Sequence, residues 1–138
     1  MSKYLFVYGT LRPALAPPEM IGAVHQLRPV GPAKLRGRLY DLGQYPGAIP
    51  DAASDTFISG EVFELPEDPN VLASLDAYEG FDPARPRESL FVRTETLVTL
   101  SDGRGLTCWI YLYNRIPTAA PLIAGGDYAE ARAAKRGS

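Results

Sequence analysis

Tyr4-Leu5-Phe6-Val7-Tyr8-Gly9-Thr10-Leu11-Arg12 is the stretch that decides how this chain folds. A run of aromatic and branched residues ends abruptly at Gly-Thr, the pattern of a core strand entering a tight loop. A residue without Cβ lets consecutive backbone N–H groups turn toward one point and lets the chain approach a ligand closely. Such a concavity of amides suits a carboxylate or a phosphate. The same residues also describe a strand followed by an ordinary turn, so the segment must be weighed with its neighbours.

Downstream of it, Pro17-Pro18 followed by Glu19 to His25 predicts a short helix with proline in its first turn. Residues 33–42 alternate apolar with polar and predict a half-exposed strand, with Gly37 as a bulge. Gln44-Tyr45-Pro46-Gly47-Ala48 reads as a Pro-Gly turn. Phe57 to Leu65 is another strand with a central glycine, and repeated mid-strand glycines suit the bends of a closing sheet. Asp68-Pro69 opens the strongest helix, with Val71, Leu72, Leu75 and Tyr78 on one stripe and Gly80 as its stop. Strands over 90–100 and 106–114 flank Asp102-Gly103, a hairpin signal, and Asp127 to Glu130 starts a C-terminal helix. The order β-α-β-β-α-β-β-α, without regular βαβ alternation, predicts an α+β fold built on a small mixed β-barrel with flanking short helices.

Length and composition narrow the class. The 138 residues suit one domain spanning 1–138, large enough to bury a core without metals or disulfides. Thirteen glycines and thirteen prolines, about a fifth of the chain, exceed average usage of about 12% and punctuate apolar runs, so the elements are short. The net charge is −2 and basic residues are scattered, which argues against a nucleic-acid partner. A lone cysteine, Cys108, sits in an apolar strand as a structural thiol and fits a reducing compartment, so a cytoplasmic location is expected. His25 is the only histidine, read as a helix-face residue, which removes most raw material for a metal cluster or a Ser-His-Asp triad. No run approaches the ~18 apolar residues of a membrane span.

A second candidate element lies at the helix end Asp76-Ala77-Tyr78-Glu79-Gly80-Phe81. Glu79 falls in the last turn, at the negative end of the helix dipole and beside two aromatic residues. Both surroundings would raise its pKa and make it a proton carrier near neutral pH. An exposed glutamate on a frayed helix end is the plainer reading of the same residues.

Together these pieces resemble the gamma-glutamylcyclotransferase-like family. Tyr8-Gly9-Thr10-Leu11 is similar to the family's loop after the first strand, Tyr45-Pro46-Gly47 to its Tyr-Pro-Gly segment, and Leu75 to Gly80 to the helix end bearing its essential glutamate. Phe91-Val92-Arg93, Trp109-Ile110-Tyr111 and Gly126-Asp127-Tyr128 follow in the family's order, although Phe91 stands where many relatives carry tyrosine. The resemblance implies a small β-barrel that converts a γ-glutamyl amide or γ-glutamyl amino acid into 5-oxoproline and a free amine. It implies a small-molecule substrate and no metal or cofactor, because the substrate's own α-amine is the nucleophile.

By the same resemblance Gly9, Thr10 and Leu11 offer backbone amides to the substrate carboxylate, Tyr8 shapes the pocket and Glu79 moves the proton. Tyr111 hydrogen-bonds nearby, with Tyr113 on the same strand face as its competitor. Arg93 stays open between an ion-pair partner and a ligand group, and the 82–88 loop between a solvated rim and a selector of acidic leaving groups. An amide-cleaving enzyme acting on another acyl group and a non-catalytic γ-glutamyl-binding module are the alternatives. The second is disfavoured because anion binding needs no added carboxylate.

Overall fold

A computed structural model describes residues 2–9, 16–43, 45–117 and 120–137 of the chain, without side-chain detail beyond residue 133. Strand β1 (Tyr4–Val7) is followed by a 3-10 turn at Pro18–Met20 that runs into the short helix α1 (Ile21–Val24). Next come β2 (Arg28–Asp41), β3 (Pro46–Pro50), β4 (Phe57–Glu64) and helix α2 (Pro69–Glu79). Strands β5 (Phe91–Leu100) and β6 (Gly105–Tyr113) form the hairpin, and helix α3 (Tyr128–Gly137) ends the described chain.

The sheet runs β3-β2-β4-β1-β6-β5, and β5 returns to β2 through Ala33↔Leu100 and Lys34↔Thr99. That return closes a five-stranded barrel, as the glycine-bent strands predicted, and leaves β3 paired outside the closure on β2 alone. The sheet is mixed because β1 and β6 run parallel while the other pairs are antiparallel.

Three local expectations are corrected. β2 starts at Arg28, earlier than the alternation suggested, and its register irregularity lies between Pro29 and Gly31. Gly37 marks instead the point where β2 exchanges β4 for β3: Arg36 faces Phe57, and Gly37 faces Pro50. The Pro46-Gly47 segment is not the turn but the start of β3; the chain reverses just before it, with the Leu42 N–H on the Tyr45 carbonyl at 3.0 Å. Pro46 is tolerated there because the first residue of an edge strand needs no donor.

Strand alternation divides the apolar residues between two interiors. Phe6, Tyr8, Ile58, Val62, Val98, Cys108 and Ile110 fill the barrel. Tyr128 joins them from the start of α3. Leu5, Val7, Phe63, Phe91 and Tyr111 point outward and pack under the helices against Val24, Val71 and Leu75. Cys108 is fully buried, as expected of a structural thiol, and burial pushes it up to about 11. His25 lies exposed at the end of α1.

Helix α2 is fixed at both ends. The Asp68 carboxylate accepts the Asn70 N–H at 2.9 Å, and Pro69 occupies the first turn, where a missing N–H costs nothing. At the other end Gly80 takes φ 73°, a left-handed conformation that favours glycine. The Phe81 N–H then reaches the Asp76 carbonyl at 2.9 Å and the Gly80 N–H the Ala77 carbonyl at 3.2 Å, the double closure of a Schellman cap. Such a cap stops the helix at a defined residue, which is Glu79. Among the described residues no helix is long and apolar enough to cross a membrane.

Candidate active site

The side chains singled out at the two ends of the sequence argument meet at one rim of the barrel. A small, partly open cavity is lined by Phe6, Tyr8, Gly9, Pro46, Glu79 and Tyr111, with Val7, Tyr45 and Phe91 completing its wall. Its chemistry is asymmetric: an aromatic and apolar wall surrounds one carboxylate.

That carboxylate is held by the periodicity of α2. Leu72, Leu75 and Asp76 lie along the face turned to the barrel, and Glu79 is next at the same helical spacing. It arrives at the cavity edge with no hydrogen-bond or ion-pair partner among the described residues. Burial pushes its carboxyl up from the ordinary glutamate range to about 7. At neutral pH it is therefore divided between acid and base, the condition for accepting and returning a proton in one cycle.

Tyr8 is buried at the end of β1 and donates its hydroxyl to the Tyr111 carbonyl, locking β1 to β6 at the mouth of the cavity. Burial, reinforced by the negative charge of Glu79, raises its pKa well above the usual tyrosine value, so it stays a neutral donor. Gly9 follows on the cavity wall. A Cβ there would stand 2.9 Å from Cγ of Pro46, so the glycine is required by the closeness of β3. Its Cβ direction faces protein, not the open cavity. Thr10 and Leu11, the other two residues of the expected amide cradle, lie outside the described residues.

Tyr111 lines the cavity, but its hydroxyl is engaged by α2. It donates to Asp76 Oδ1 at 2.6 Å. The same carboxylate receives Arg93 in a fork, Nε to Oδ1 at 2.8 Å and Nη2 to Oδ2 at 3.2 Å. Arg93 is thus an ion-pair partner within the described structure. Its guanidinium lies 4.3 Å from the ring centroid of Trp109 and 5.7 Å from that of Phe81. Tyr113 shares the outward strand face with Tyr111, as alternation requires, but packs on Phe91 with ring centroids 5.7 Å apart. The 82–89 segment is tied down by Asn114 and Arg115, which donate to the Ser89 carbonyl at 2.9 and 3.0 Å, while Arg85 lies exposed beside Glu88.

Asp76 is the participant that the sequence reading missed. It sits four residues after Leu72 and beside Leu75 on the apolar stripe. A carboxylate on a buried helix face, followed by an arginine on the next strand, is a signal of a buried pair that the hydrophobic pattern alone conceals.

Residues 5–130 match the family described as "Gamma-glutamyl cyclotransferase, AIG2-like". A Vibrio cholerae serotype O1 protein provisionally named a gamma-glutamylcyclotransferase is 33% identical over 136 residues, covering 94% of this chain and 98% of the relative. The gamma-glutamylcyclotransferase family protein YtfP of Escherichia coli K12 is 32% identical over 131 residues, covering 90% and 94%. The solution structure of E. coli YtfP superposes with a TM-score of 0.61 at 28% identity, covering 94% of this chain and 98% of that one. YkqA from Bacillus subtilis shares the fold with a TM-score of 0.74 at 24% identity; all of this chain is covered but only 44% of the YkqA chain.

Proposed function

We propose that this chain, which belongs to the gamma-glutamyl cyclotransferase, AIG2-like family, converts a γ-glutamyl amide or γ-glutamyl amino acid into 5-oxoproline and a free amine. The observation that carries the reading is Glu79: a carboxylate with no hydrogen-bond or ion-pair partner among the described residues, raised to about 7, at the edge of a small cavity beside Tyr8 and Gly9. A structural glutamate gains nothing from that position. A proton carrier does.

In the proposed reaction the backbone of the Gly9–Leu11 loop receives the substrate α-carboxylate, and the glutamyl chain folds back against Tyr8 and Tyr111. Glu79 accepts a proton from the α-ammonium. The freed amine attacks the γ-carbonyl carbon and closes a five-membered ring. Protonated Glu79 then returns its proton to the departing nitrogen as the C–N bond breaks. The ring nitrogen's surplus proton goes to the product amine, which leaves as an ammonium ion. The nucleophile belongs to the substrate, so the scheme calls on no cofactor. Holding both reacting groups in one folded molecule is the main contribution, since well-oriented intramolecular attack is worth up to roughly 7–11 kcal/mol.

The test is incubation with a panel of γ-glutamyl amino acids and γ-glutamyl amines, scored for 5-oxoproline. The expected result is product from the wild type and none above background from Glu79→Gln. Free glutamate as the product would make the protein an amidase, and saturable binding without turnover would make it a binding module.

A further inference from the structure

The buried Asp76–Arg93 pair, joined by the Tyr111 hydroxyl, stands about one helical turn from Glu79, and the proposed chemistry does not call on these polar groups. Its cost is considerable. Burying an ion pair sacrifices hydration that an apolar residue at position 76 would not lose, and the helix would still pack. Asp76 is 7% exposed, and the Arg93 side chain only 15%. All three acceptor and donor directions are matched in the fork and the tyrosine hydrogen bond. The geometry binds α2, β5 and β6 together at the residue three positions before Glu79.

We propose that Asp76, Arg93 and Tyr111 are the positioning residues of Glu79: their ion pair clamps the end of α2 to the barrel, and its internal balance of charge leaves Glu79 at the cavity without a counter-ion among the described residues. The inference rests on Glu79 being the proton carrier of the proposed reaction. Among the described residues, the charged and titratable groups around Glu79 are Asp76 and Tyr78 on its own helix, Tyr8 just after β1, Arg93 on β5, Tyr111 on β6 and Tyr45 before β3. Arg93 is the cation of this group. Its Nε and Nη2 are occupied by Asp76. The Tyr111 hydroxyl senses Asp76, Glu79 and Arg93 together, which places all four groups in one electrostatic neighbourhood.

Removing either charge should therefore move Glu79, and in opposite directions. Asp76→Asn leaves Arg93 uncompensated and lowers the Glu79 titration midpoint by about one pH unit; Arg93→Gln leaves Asp76 uncompensated and raises it by about as much. The double variant Asp76→Asn/Arg93→Gln removes both charges, and its midpoint returns toward the wild-type value. Its turnover still falls by about tenfold or more, because the fork that aims the helix end is gone. A purely structural pair predicts lower stability in each variant with an unmoved midpoint.

The measurement is carbon NMR titration of the Glu79 carboxyl in the whole chain, its resonance assigned by loss in Glu79→Gln. Opposite shifts in the single variants support the inference, and unmoved midpoints in folded single variants overturn it. If the single variants do not fold, Tyr111→Phe decides. Losing the hydroxyl that partly neutralises Asp76 should raise the Glu79 midpoint by a few tenths of a unit, and no rise overturns the inference. The titration needs no substrate. A wild type without 5-oxoproline activity that still shows these shifts defeats the proposed reaction alone, whereas an active wild type without them defeats this inference alone.

Discussion

Strands β1 and β6 each face two interiors, and the two are built on different terms. Inside the barrel, Phe6, Val62, Cys108 and Ile110 pack in a cluster of buried hydrophobic side chains. Outside, under α1 and α2, Leu5, Val7 and Tyr111 share their layer with the Asp76–Arg93 pair and end at Glu79. Closure explains the difference. A closed sheet satisfies its own backbone groups, so its lumen can be wholly apolar. A helix laid on the outside brings a terminus with it, and that end must be capped, aimed and shielded. The cavity opens along the seam, taking Phe6 and Tyr8 from one interior and Val7, Phe91 and Tyr111 from the other. The barrel supplies rigidity and the outer layer supplies chemistry.

The most forceful way to break that division is to remove the one group that the outer layer delivers. Glu79→Gln keeps size and hydrogen-bonding reach but carries no proton. Turnover to 5-oxoproline should fall by ~10²–10⁴, the range for a positioned acid–base group, with cooperative melting retained. A folded variant with wild-type turnover would place the chemistry elsewhere.

Truncation in each interior sharpens the contrast. Ile110→Ala in the lumen and Leu75→Ala under α2 each remove a fully buried side chain, and each should cost about 2–5 kcal/mol in denaturant unfolding. Their effects on the site should differ. Leu75 lies four residues before Glu79 on the same helix face, so its loss should also depress turnover at a temperature where the protein remains folded. Ile110→Ala should leave turnover per folded molecule within about twofold. Equal loss in both variants would mean that the seam responds to the barrel as a whole.

A third comparison uses pH. The Glu79 carboxyl titrates near 4.5 when unfolded and at about 7 in the folded protein, because burial favours its neutral form. Between those values the unfolded chain has already lost the proton that the folded chain still holds. The contribution of Glu79 to stability is thus greatest below pH 4.5, declines as pH rises, and is fully lost above pH 7. Glu79→Gln stays neutral throughout. Relative to wild type it should gain on the order of 2 kcal/mol between pH 4.5 and pH 8, read as a widening gap between the two unfolding curves. The lumen variant Ile110→Ala should show no such widening. A Glu79→Gln gap that is constant with pH would mean that the carboxyl is well solvated.

The legible part of this molecule was written in local rules. The apolar run of β1, the alternation of β5 and β6, the Asp-Gly hairpin, the Asp68-Pro69 start and the Gly80 stop of α2 all depend on residues within a few positions of one another. The closing sheet was foreshadowed by the same means. The missed features depend on partners distant in the chain. Pro46 and Gly47 carry turn chemistry, and only the vacant edge of β2 turns them into a strand. Gly37 resembles a bulge until the exchange of β4 for β3 explains it. Asp76 and Arg93 are ordinary charges in their own segments and become a buried pair only once α2 lies across β5. Glu79 was visible because a stop signal, an aromatic neighbourhood and a family resemblance all fell on one residue. The amide cradle at Thr10 and Leu11 stays an expectation, and only Gly9 of that loop belongs to the described wall.

The smallest expected effect concerns the far end of the helix that delivers Glu79. Asp68 caps α2 by accepting the Asn70 N–H, eleven positions ahead of the carboxylate. Asp68→Ala should cost about 1 kcal/mol, the ordinary value of an N-cap, without touching the cavity. The Schellman closure at Gly80 and the Asp76–Arg93 fork hold the other end independently, so fraying of the first turn need not reach Glu79. The outcome to look for is a lowered unfolding midpoint with turnover and the Glu79 titration both unchanged. A displaced Glu79 midpoint in this variant would mean that α2 moves as one rigid rod set by its cap. The division between a scaffolded helix end and an independently anchored active end would then have to be abandoned.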